Sequence, residues 1–114
     1  MTLPLRISGE AEAEMAEAAR WYERNRAGLG SEFLTAVDAT LDRIRENPRV
    51  GLRVPGVDVQ DIRRLFVRRF PFQIVYIEMT NRLQILAIAH DRRRPAYWVG
   101  RLPRCRSNEE DWRR

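Results

Sequence analysis

The chain has 114 residues and is poor in several residue types: it has no lysine, one cysteine and one histidine. It also lacks an apolar run of the roughly 18 residues that a membrane-spanning helix needs, so we expect no membrane segment. Its N-terminus has no long apolar stretch, which predicts that there is no signal peptide. Cys105 has no partner for an internal disulfide, so a reduced, cytoplasmic setting is expected.

The motifs of the common catalytic and cofactor sites are also missing. The sequence has no glycine-rich phosphate loop, no cluster of metal ligands and no ordered set of nucleophile, histidine and acid. We therefore expect neither a cofactor nor a bound metal.

Arginine is what the chain has in excess, and it is unevenly placed. Residues 1–50 hold seven arginines against nine acidic residues, whereas residues 51–106 hold twelve against four, so the balance changes from −2 to +8. A basic half of this kind indicates an anionic partner, such as nucleic acid or an acidic protein segment. A soluble, arginine-rich surface accounts for the charge alone equally well.

Two amphipathic helices are predicted in the first half of the chain. A short strand over residues 3–7 precedes a helix over residues 10–26, for which Ser8 is the predicted N-cap. Ser31 is predicted to cap a second helix, which ends before Pro48 because the residue preceding a proline avoids helical space. The short break between the two helices favours an antiparallel hairpin.

Three strands are predicted after a loop over residues 49–60. They are Ile62–Arg69, Phe72–Met79 and Leu83–His90. The last two are apolar on both faces, so we expect them to be central, with one face covered by the helices and the other at least partly covered. The order β-α-α-β-β-β predicts an α+β fold in which the helical hairpin packs on a small, mainly antiparallel sheet.

Five separated patterns occur together along the chain. They are AEAEMAEAARWYE at 11–23, GLGSEFL at 28–34, IRENP at 44–48, IRRLFVRRFPFQIVY at 62–76 and HDRRRPAYW at 90–98. With them the sequence resembles the RelE/ParE superfamily of bacterial toxins, on the ParE-like or plasmid-stabilisation side. The resemblance covers about residues 5–98, and we expect one toxin domain over residues 1–100 followed by a tail over residues 101–114.

The resemblance implies the toxin component of a type II toxin–antitoxin system. Such a toxin is neutralised by a cognate antitoxin, with which we expect it to form an oligomer. ParE-type members act on DNA gyrase and need no nuclease site, whereas RelE-type members are ribosome-dependent mRNA endoribonucleases. Of the four basic positions of a RelE-like site, two fall on Arg64 and Arg92, and the others fall on Phe66 and Gln73. Glutamine cannot carry the charge that stabilises a phosphorane, so the non-enzymatic function is preferred.

Two alternatives remain open at this point. The first is a RelE-like mRNA endoribonuclease, for which the catalytic candidates are Arg64, His90, Arg92 and Tyr97. The second is a small, basic nucleic-acid-binding module without toxicity. His90 has no metal-ligand spacing around it, so a structural role at the strand end is preferred over general acid–base catalysis.

Nine residues are candidates for binding an antitoxin or a target. They are Arg63, Arg64, Arg68, Arg69, Arg92, Arg93, Arg94, Tyr97 and Trp98. Guanidinium groups can pair with phosphate or carboxylate in bidentate fashion, and two rings beside a basic run favour contact with a partner. One of these rings, Trp98, could instead pack against the helix hairpin and anchor the C-terminus. Trp21 and Tyr22 are predicted to pack in the core or between the helices.

Overall fold

The structure, a computed structural model, describes residues 3–54, 61–94 and 96–102. Its elements are β1 (Leu5–Ile7), α1 (Gly9–Asn25), α2 (Leu29–Glu46), β2 (Leu52–Arg53), β3 (Ile62–Phe66), β4 (Phe72–Glu78), β5 (Leu83–His90) and a 3-10 helix (Val99–Arg101). The sheet order is β1-β5-β4-β3-β2, with β1 parallel to β5 and every other pair antiparallel. The predicted α+β fold is confirmed. In these ranges no helix is long and apolar enough to cross a lipid bilayer.

Helix α1 begins where the sequence predicts. The Ser8 hydroxyl accepts a hydrogen bond from the Ala11 backbone N–H at 3.1 Å, which satisfies one of the unpaired donors of the first turn. The same hydroxyl lies 3.4 Å from the carbonyl oxygen of Leu86 on β5, to which it donates. The cap therefore also ties the start of the helix to the sheet.

Helix α2 begins earlier than predicted, because its cap comes from the other helix. It starts at Leu29, so Ser31 lies inside its first turn and is not the cap. The Glu23 carboxylate of α1 accepts hydrogen bonds from the backbone N–H groups of Gly28 and Gly30, each at 3.0 Å. Gly28 has a φ of 88°, a left-handed backbone that glycine adopts without strain. A carboxylate at a helix N-terminus also complements the helix dipole.

The first strand of the predicted trio is shorter than Ile62–Arg69. It ends at Phe66, because the chain then turns and the Val67 N–H donates to the carbonyl of Phe72 at 2.9 Å. Arg69 in this turn has a φ of 75°, which no regular strand contains.

Strand β2 lies inside the loop that was predicted over residues 49–60. Its two residues pair with Arg63 and Arg64 of β3 and form the outer edge of the sheet. Two residues are too few to produce a periodic pattern, so no local signal predicts this strand. Residues 55–60 of the predicted loop lie outside the described residues.

The sheet has two different faces. The helix face is covered by α1 and α2, and its core contains Phe33, Val37, Leu41, Ile44, Phe72, Ile74, Tyr76, Leu83, Ile85 and Ile88. The second face packs against the C-terminal segment (residues 96–102), and its smaller core contains Ile62, Val75, Ile77, Leu86, Ala87, Ala89 and Trp98. The prediction that the central strands are covered on one face by helices and at least partly on the other is confirmed.

A β-bulge in β5 changes which of its side chains point to each face of the sheet. Val75 pairs with Ala87 while the next residue, Tyr76, pairs with Ile85, so that Leu86 has no partner in β4. A bulge adds one residue to a strand and shifts the alternation of its side chains. Leu86 and Ala87 consequently both belong to the core of the second face.

Candidate functional site

The C-terminal end of β5 lies between two hollows of the protein surface. The larger hollow, here called the apolar groove, has a volume of about 590 Å³ and is lined by α1 residues and the ends of β4 and β5. The smaller one, the sheet cleft, has a volume of about 180 Å³ and lies on the second face under the C-terminal segment. His90 and Arg93 line both hollows.

The sheet cleft contains two buried polar atoms without a partner. They are Nε of Arg64 on β3 and Oε1 of Gln73 on β4, and neither has a hydrogen-bond partner in the described part of the chain. A buried polar atom that stays unpaired costs about 1–3 kcal/mol of stability. The Arg64 guanidinium is placed by the Phe66 ring, whose centroid is 5.6 Å away. The cleft is therefore lined by two polar side chains, each of which has one buried atom without a partner among the described residues.

His90 is fixed by contacts on two sides. Its Nδ1 accepts a hydrogen bond from the Arg92 backbone N–H at 3.0 Å. Its ring packs edge-on against Phe72, with the ring centroids 5.1 Å apart. Both contacts suit the structural role that we preferred for this residue at the end of the strand.

Glu14 of α1 holds the C-terminal segment in place. Its carboxylate accepts hydrogen bonds from the Tyr97 hydroxyl at 2.6 Å and from both terminal nitrogens of Arg101 at 3.0 Å. It also accepts a hydrogen bond from the Ile88 backbone N–H at 3.0 Å. Strand β1 pairs with β5 only as far as Ile85, so this N–H lies on a part of the β5 edge that β1 does not cover. We call Glu14, Tyr97 and Arg101 the Glu14 clamp.

The Glu14 clamp changes the acidity of Tyr97. Burial, together with the Glu14 carboxylate, raises the pKa of the Tyr97 hydroxyl to about 12. The guanidinium of Arg93 stacks on the Tyr97 ring at 3.9 Å from its centroid. The phenol is therefore held neutral, as a hydrogen-bond donor.

The arginines of the β3 region have different surroundings. Arg63 donates to the carbonyl of Gly51 at 2.8 Å and lies 3.4 Å from Asp61, so it braces β2 and the loop before it. Arg69 pairs with Glu32 of α2 at 2.9 Å. Arg68 is exposed in the turn between β3 and β4. Five of the nine predicted binding residues line the sheet cleft: Arg64, Arg93, Arg94, Tyr97 and Trp98.

Comparison with known proteins identifies the family of this chain. A family model described as the ParE toxin of type II toxin–antitoxin systems matches residues 5–95. The chain belongs to the ParE toxin family. A solved structure described as a chromosomal ParDE toxin–antitoxin system from P. aeruginosa aligns with a TM-score of 0.59 and 20% identity, over 78% of this chain and 96% of that chain. No match was found among curated proteins.

Membership of the ParE family confirms the resemblance inferred from the five sequence patterns. It makes the chain the toxin member of a type II toxin–antitoxin pair, whose partner is an antitoxin. The solved structure, at its low identity, supports the same fold.

Two tryptophans of this ParE-family chain lie elsewhere than the sequence suggested. Trp98, a candidate for partner binding, is only 3% exposed and belongs to the core of the second face. It anchors the C-terminal segment, as the alternative interpretation had it, but it packs on the second face of the sheet and not against the helix hairpin. Trp21, expected in the core or between the helices, is 53% exposed and lines the apolar groove. Tyr22 does pack inside, against Phe33 and Phe70.

The nuclease candidates come together only in part. Arg64, His90 and Tyr97 all line the sheet cleft, whereas Arg92 is exposed and is not among the residues that line it. The Tyr97 hydroxyl already donates to Glu14, and Nδ1 of His90 already accepts from the backbone. The cleft has the lining to bind a hydrogen-bonding or anionic group, but His90 Nδ1 and the Tyr97 hydroxyl are engaged in contacts within the fold.

Glu14 and Arg101 were missed by the sequence reasoning. The available signal was Glu14 itself, a charged residue between Ala11 and Ala18 on the apolar face of the first helix. Arg101 was assigned to the tail, yet its guanidinium packs on Glu14 and on the Leu86 carbonyl. The rest of the predicted tail, residues 103–114 with Cys105, lies outside the described residues.

Proposed function

We propose that this toxin inhibits bacterial growth from the cytoplasm by binding its target, without cleaving RNA. DNA gyrase is the target that the ParE-type resemblance suggests. The cognate antitoxin neutralises the toxin by covering its surface in a complex of the two proteins.

The make-up of the sheet cleft carries this proposal. The strands contribute one arginine to it, Arg64, while Gln73 and Phe66 stand where a RelE-like site has further basic residues. A phosphoryl-transfer transition state needs positive charge on several sides of the phosphate. His90 Nδ1 and the Tyr97 hydroxyl already make hydrogen bonds within the fold, so neither atom is free to transfer a proton.

The apolar groove supports the antitoxin part of the proposal. It is lined by apolar side chains including Trp21, Tyr22 and Ile88, with the acids Glu14 and Glu17 among the α1 residues and Arg93 beyond the end of β5. An amphipathic segment can place its apolar side chains in such a groove and pair its charges with the exposed Glu17 and Arg93. The exposed Trp21 ring is suited to anchoring that segment, because aromatic residues dominate binding energy at many interfaces.

One observation favours the nuclease as a second candidate. Arg64, His90 and Tyr97 share the sheet cleft, which is also close to Arg93 and Arg94. A ribosome that reoriented Tyr97 and His90 would bring two proton-transfer groups next to a cation.

A series of activity assays tests the proposal. Expression of the chain should arrest growth, and co-expression of the antitoxin gene beside it should relieve the arrest. The purified toxin should inhibit supercoiling by gyrase and leave ribosome-bound mRNA intact. Ribosome-dependent cleavage that Arg92→Ala abolishes would establish the nuclease instead. A chain that binds nucleic acid and never slows growth would be the non-toxic module.

The apolar groove has its own test. Trp21→Ala should weaken antitoxin binding and leave growth arrest intact when the toxin is expressed alone. Leu34→Ala is a matched control, because Leu34 is also an exposed apolar residue but lies on α2 and outside the lining of the groove. Equal effects of the two substitutions would argue against the groove as the antitoxin site.

A further inference from the structure

The sheet cleft has features of a binding site that the proposed function does not use. Arg64 and Gln73 come from neighbouring strands and both line the cleft, and each has one buried atom, Arg64 Nε and Gln73 Oε1, without a partner among the described residues. Buried polar groups in folded proteins are nearly always hydrogen-bonded, so each exception calls for a ligand or an ordered water.

The size of the cleft indicates what kind of group enters. Its volume is about 180 Å³. Sites for whole small molecules and cofactors usually enclose about 300–1,000 Å³. The cleft is therefore suited to one side chain of a partner protein, and a nucleotide is too large to enter it whole.

The charges around the cleft indicate the sign of that side chain. Arg64, Arg93 and Arg94 line it, with Asp91 as the opposing acid and His90 beside them. The half-buried Arg64 guanidinium has the fork geometry that matches the two oxygens of a carboxylate. Gln73 can turn its amide by half a rotation and present its NH₂ group to the same carboxylate.

The surroundings of the cleft indicate what flanks the carboxylate. Phe66 pairs with Gln73 across the sheet, and Leu52 pairs with Arg64. Directly paired residues project to the same side, so Phe66 and Leu52 lie on the second face with the cleft. Their side chains are unusually exposed for apolar residues, at 47% for Phe66 and 62% for Leu52. An acidic residue of a partner would fill the cleft, and its apolar neighbours would cover the exposed side chains of Phe66 and Leu52.

We propose that the sheet cleft binds the carboxylate of an aspartate or glutamate from an acidic, apolar-flanked segment of the cognate antitoxin. Arg64 and Gln73 hold the carboxylate, and Phe66 and Leu52 contact the residues on either side of it. This inference rests on the proposed function, since it assigns part of the antitoxin to a second surface beyond the apolar groove.

The test is calorimetry of the full-length toxin with the antitoxin encoded beside it. Arg64→Gln should weaken the complex about tenfold to hundredfold, as expected for a lost hydrogen bond to a charged group. Gln73→Glu should weaken it as well, by placing a like charge in the cleft. Arg43→Gln is the matched control, because Arg43 is exposed on α2 and loses the same charge elsewhere.

A scan of the antitoxin completes the experiment. Each aspartate or glutamate is changed to its amide, and one such variant should weaken binding as much as Arg64→Gln. Combined with Arg64→Gln, that variant should cause no further loss, because both remove the same contact. Thermal unfolding of each variant shows whether it is folded, and Gln73→Glu still tests the cleft if Arg64→Gln is not.

Three outcomes would overturn the inference. In the first, Arg64→Gln and Arg43→Gln have the same affinity for the antitoxin. In the second, no acidic residue of the antitoxin couples to Arg64. If the antitoxin still relieves growth arrest in either case, the proposed function stands and only the carboxylate site is wrong. In the third, Arg64→Gln leaves antitoxin binding unchanged but abolishes binding of a single-stranded RNA oligonucleotide, and the cleft then binds phosphate.

Discussion

The two faces of the sheet differ in how completely they are packed. On the helix face, Phe33 is fully buried and its ring packs against those of Tyr22, Phe70 and Phe72, with centroids 5.0–5.2 Å apart. On the second face, a short irregular segment covers part of the sheet, while Phe66 stays exposed and two buried polar atoms have no partner among the described residues. The helix face is thus closed by tightly packed rings, whereas the second face has a smaller core beside a cleft whose polar lining is incompletely hydrogen-bonded within the described residues.

Replacing one phenylalanine on each face is the strongest test of this comparison. Phe33→Ala should lower the free energy of unfolding by about 3–5 kcal/mol, because it removes a fully buried ring and leaves a cavity. Phe66→Ala should change it by no more than about 0.5 kcal/mol, since half of that ring is in solvent. Urea denaturation of both variants measures the difference. Similar losses for the two would show that both faces carry the fold.

The Glu14 clamp is the next test, because it joins the two sides of the molecule. Glu14→Gln should lower the free energy of unfolding by about 2–3 kcal/mol, as the charged partner of Arg101 is lost. The exposed Glu17, one turn away on α1, gives the control Glu17→Gln, which should have little effect. Thermal unfolding measures the loss, and Trp98 fluorescence in variants without Trp21 and Trp112 reports whether the C-terminal segment has moved. A loss for Glu17→Gln as large as that for Glu14→Gln would refute the clamp.

The raised pKa of Tyr97 makes part of this stability depend on pH. Folding holds the phenol neutral up to about pH 12, whereas the unfolded chain ionises near its ordinary pKa of about 10. The contribution is therefore fully present below about pH 10 and is lost as the pH rises towards 12. Urea denaturation across this range should show a decline in stability that is smaller in Tyr97→Phe.

The variant Tyr97→Phe is needed because other tyrosines titrate in the same range. Burial also raises the pKa values of Tyr22 and Tyr76 on the helix side. Their contribution is common to the wild type and to Tyr97→Phe, so the difference between the two proteins isolates Tyr97. An identical decline in both proteins would contradict the role assigned to the Glu14 clamp.

The smallest expected effect is a gain. Gln73→Leu removes an unpaired buried oxygen from the sheet cleft, so it should raise the free energy of unfolding by about 1 kcal/mol or leave it unchanged. The same variant should bind the antitoxin less tightly. Urea denaturation with calorimetry of the complex measures both quantities. A clear loss of stability would mean that Gln73 has a partner that supports the fold.

The helices and the central strands could be predicted because their signals are local. The spacing of Phe33, Val37, Leu41 and Ile44 marks one side of a helix, and the apolar run from Leu83 to Ala89 marks a buried strand. The predicted start of α2 and the predicted end of β3 were wrong, because contacts with residues outside each element set these boundaries. Glu23 caps α2 in place of Ser31, and a turn closed by Val67 and Phe72 ends β3 early.

The candidate site could be predicted only in part. The sequence pointed to the end of β5 and to Arg64, which do meet at the sheet cleft. It could not separate Trp98, which is buried, from Trp21, which is exposed, because both stand next to a tyrosine in a segment that contains several arginines. Exposure of a large ring depends on which surface its element turns to solvent, and that is fixed by packing.

The sequence by itself determined the family, the order of the elements and the presence of an arginine-rich half, since these are properties of patterns along the chain. Only the tertiary structure decided which arginines meet and which are engaged elsewhere. Arg64 and Gln73 share a cleft because β3 and β4 pair in an antiparallel register, and Glu14 meets Arg101 across 87 residues of sequence. No local pattern encodes such contacts, because they depend on how the sheet, the helices and the C-terminal segment pack together.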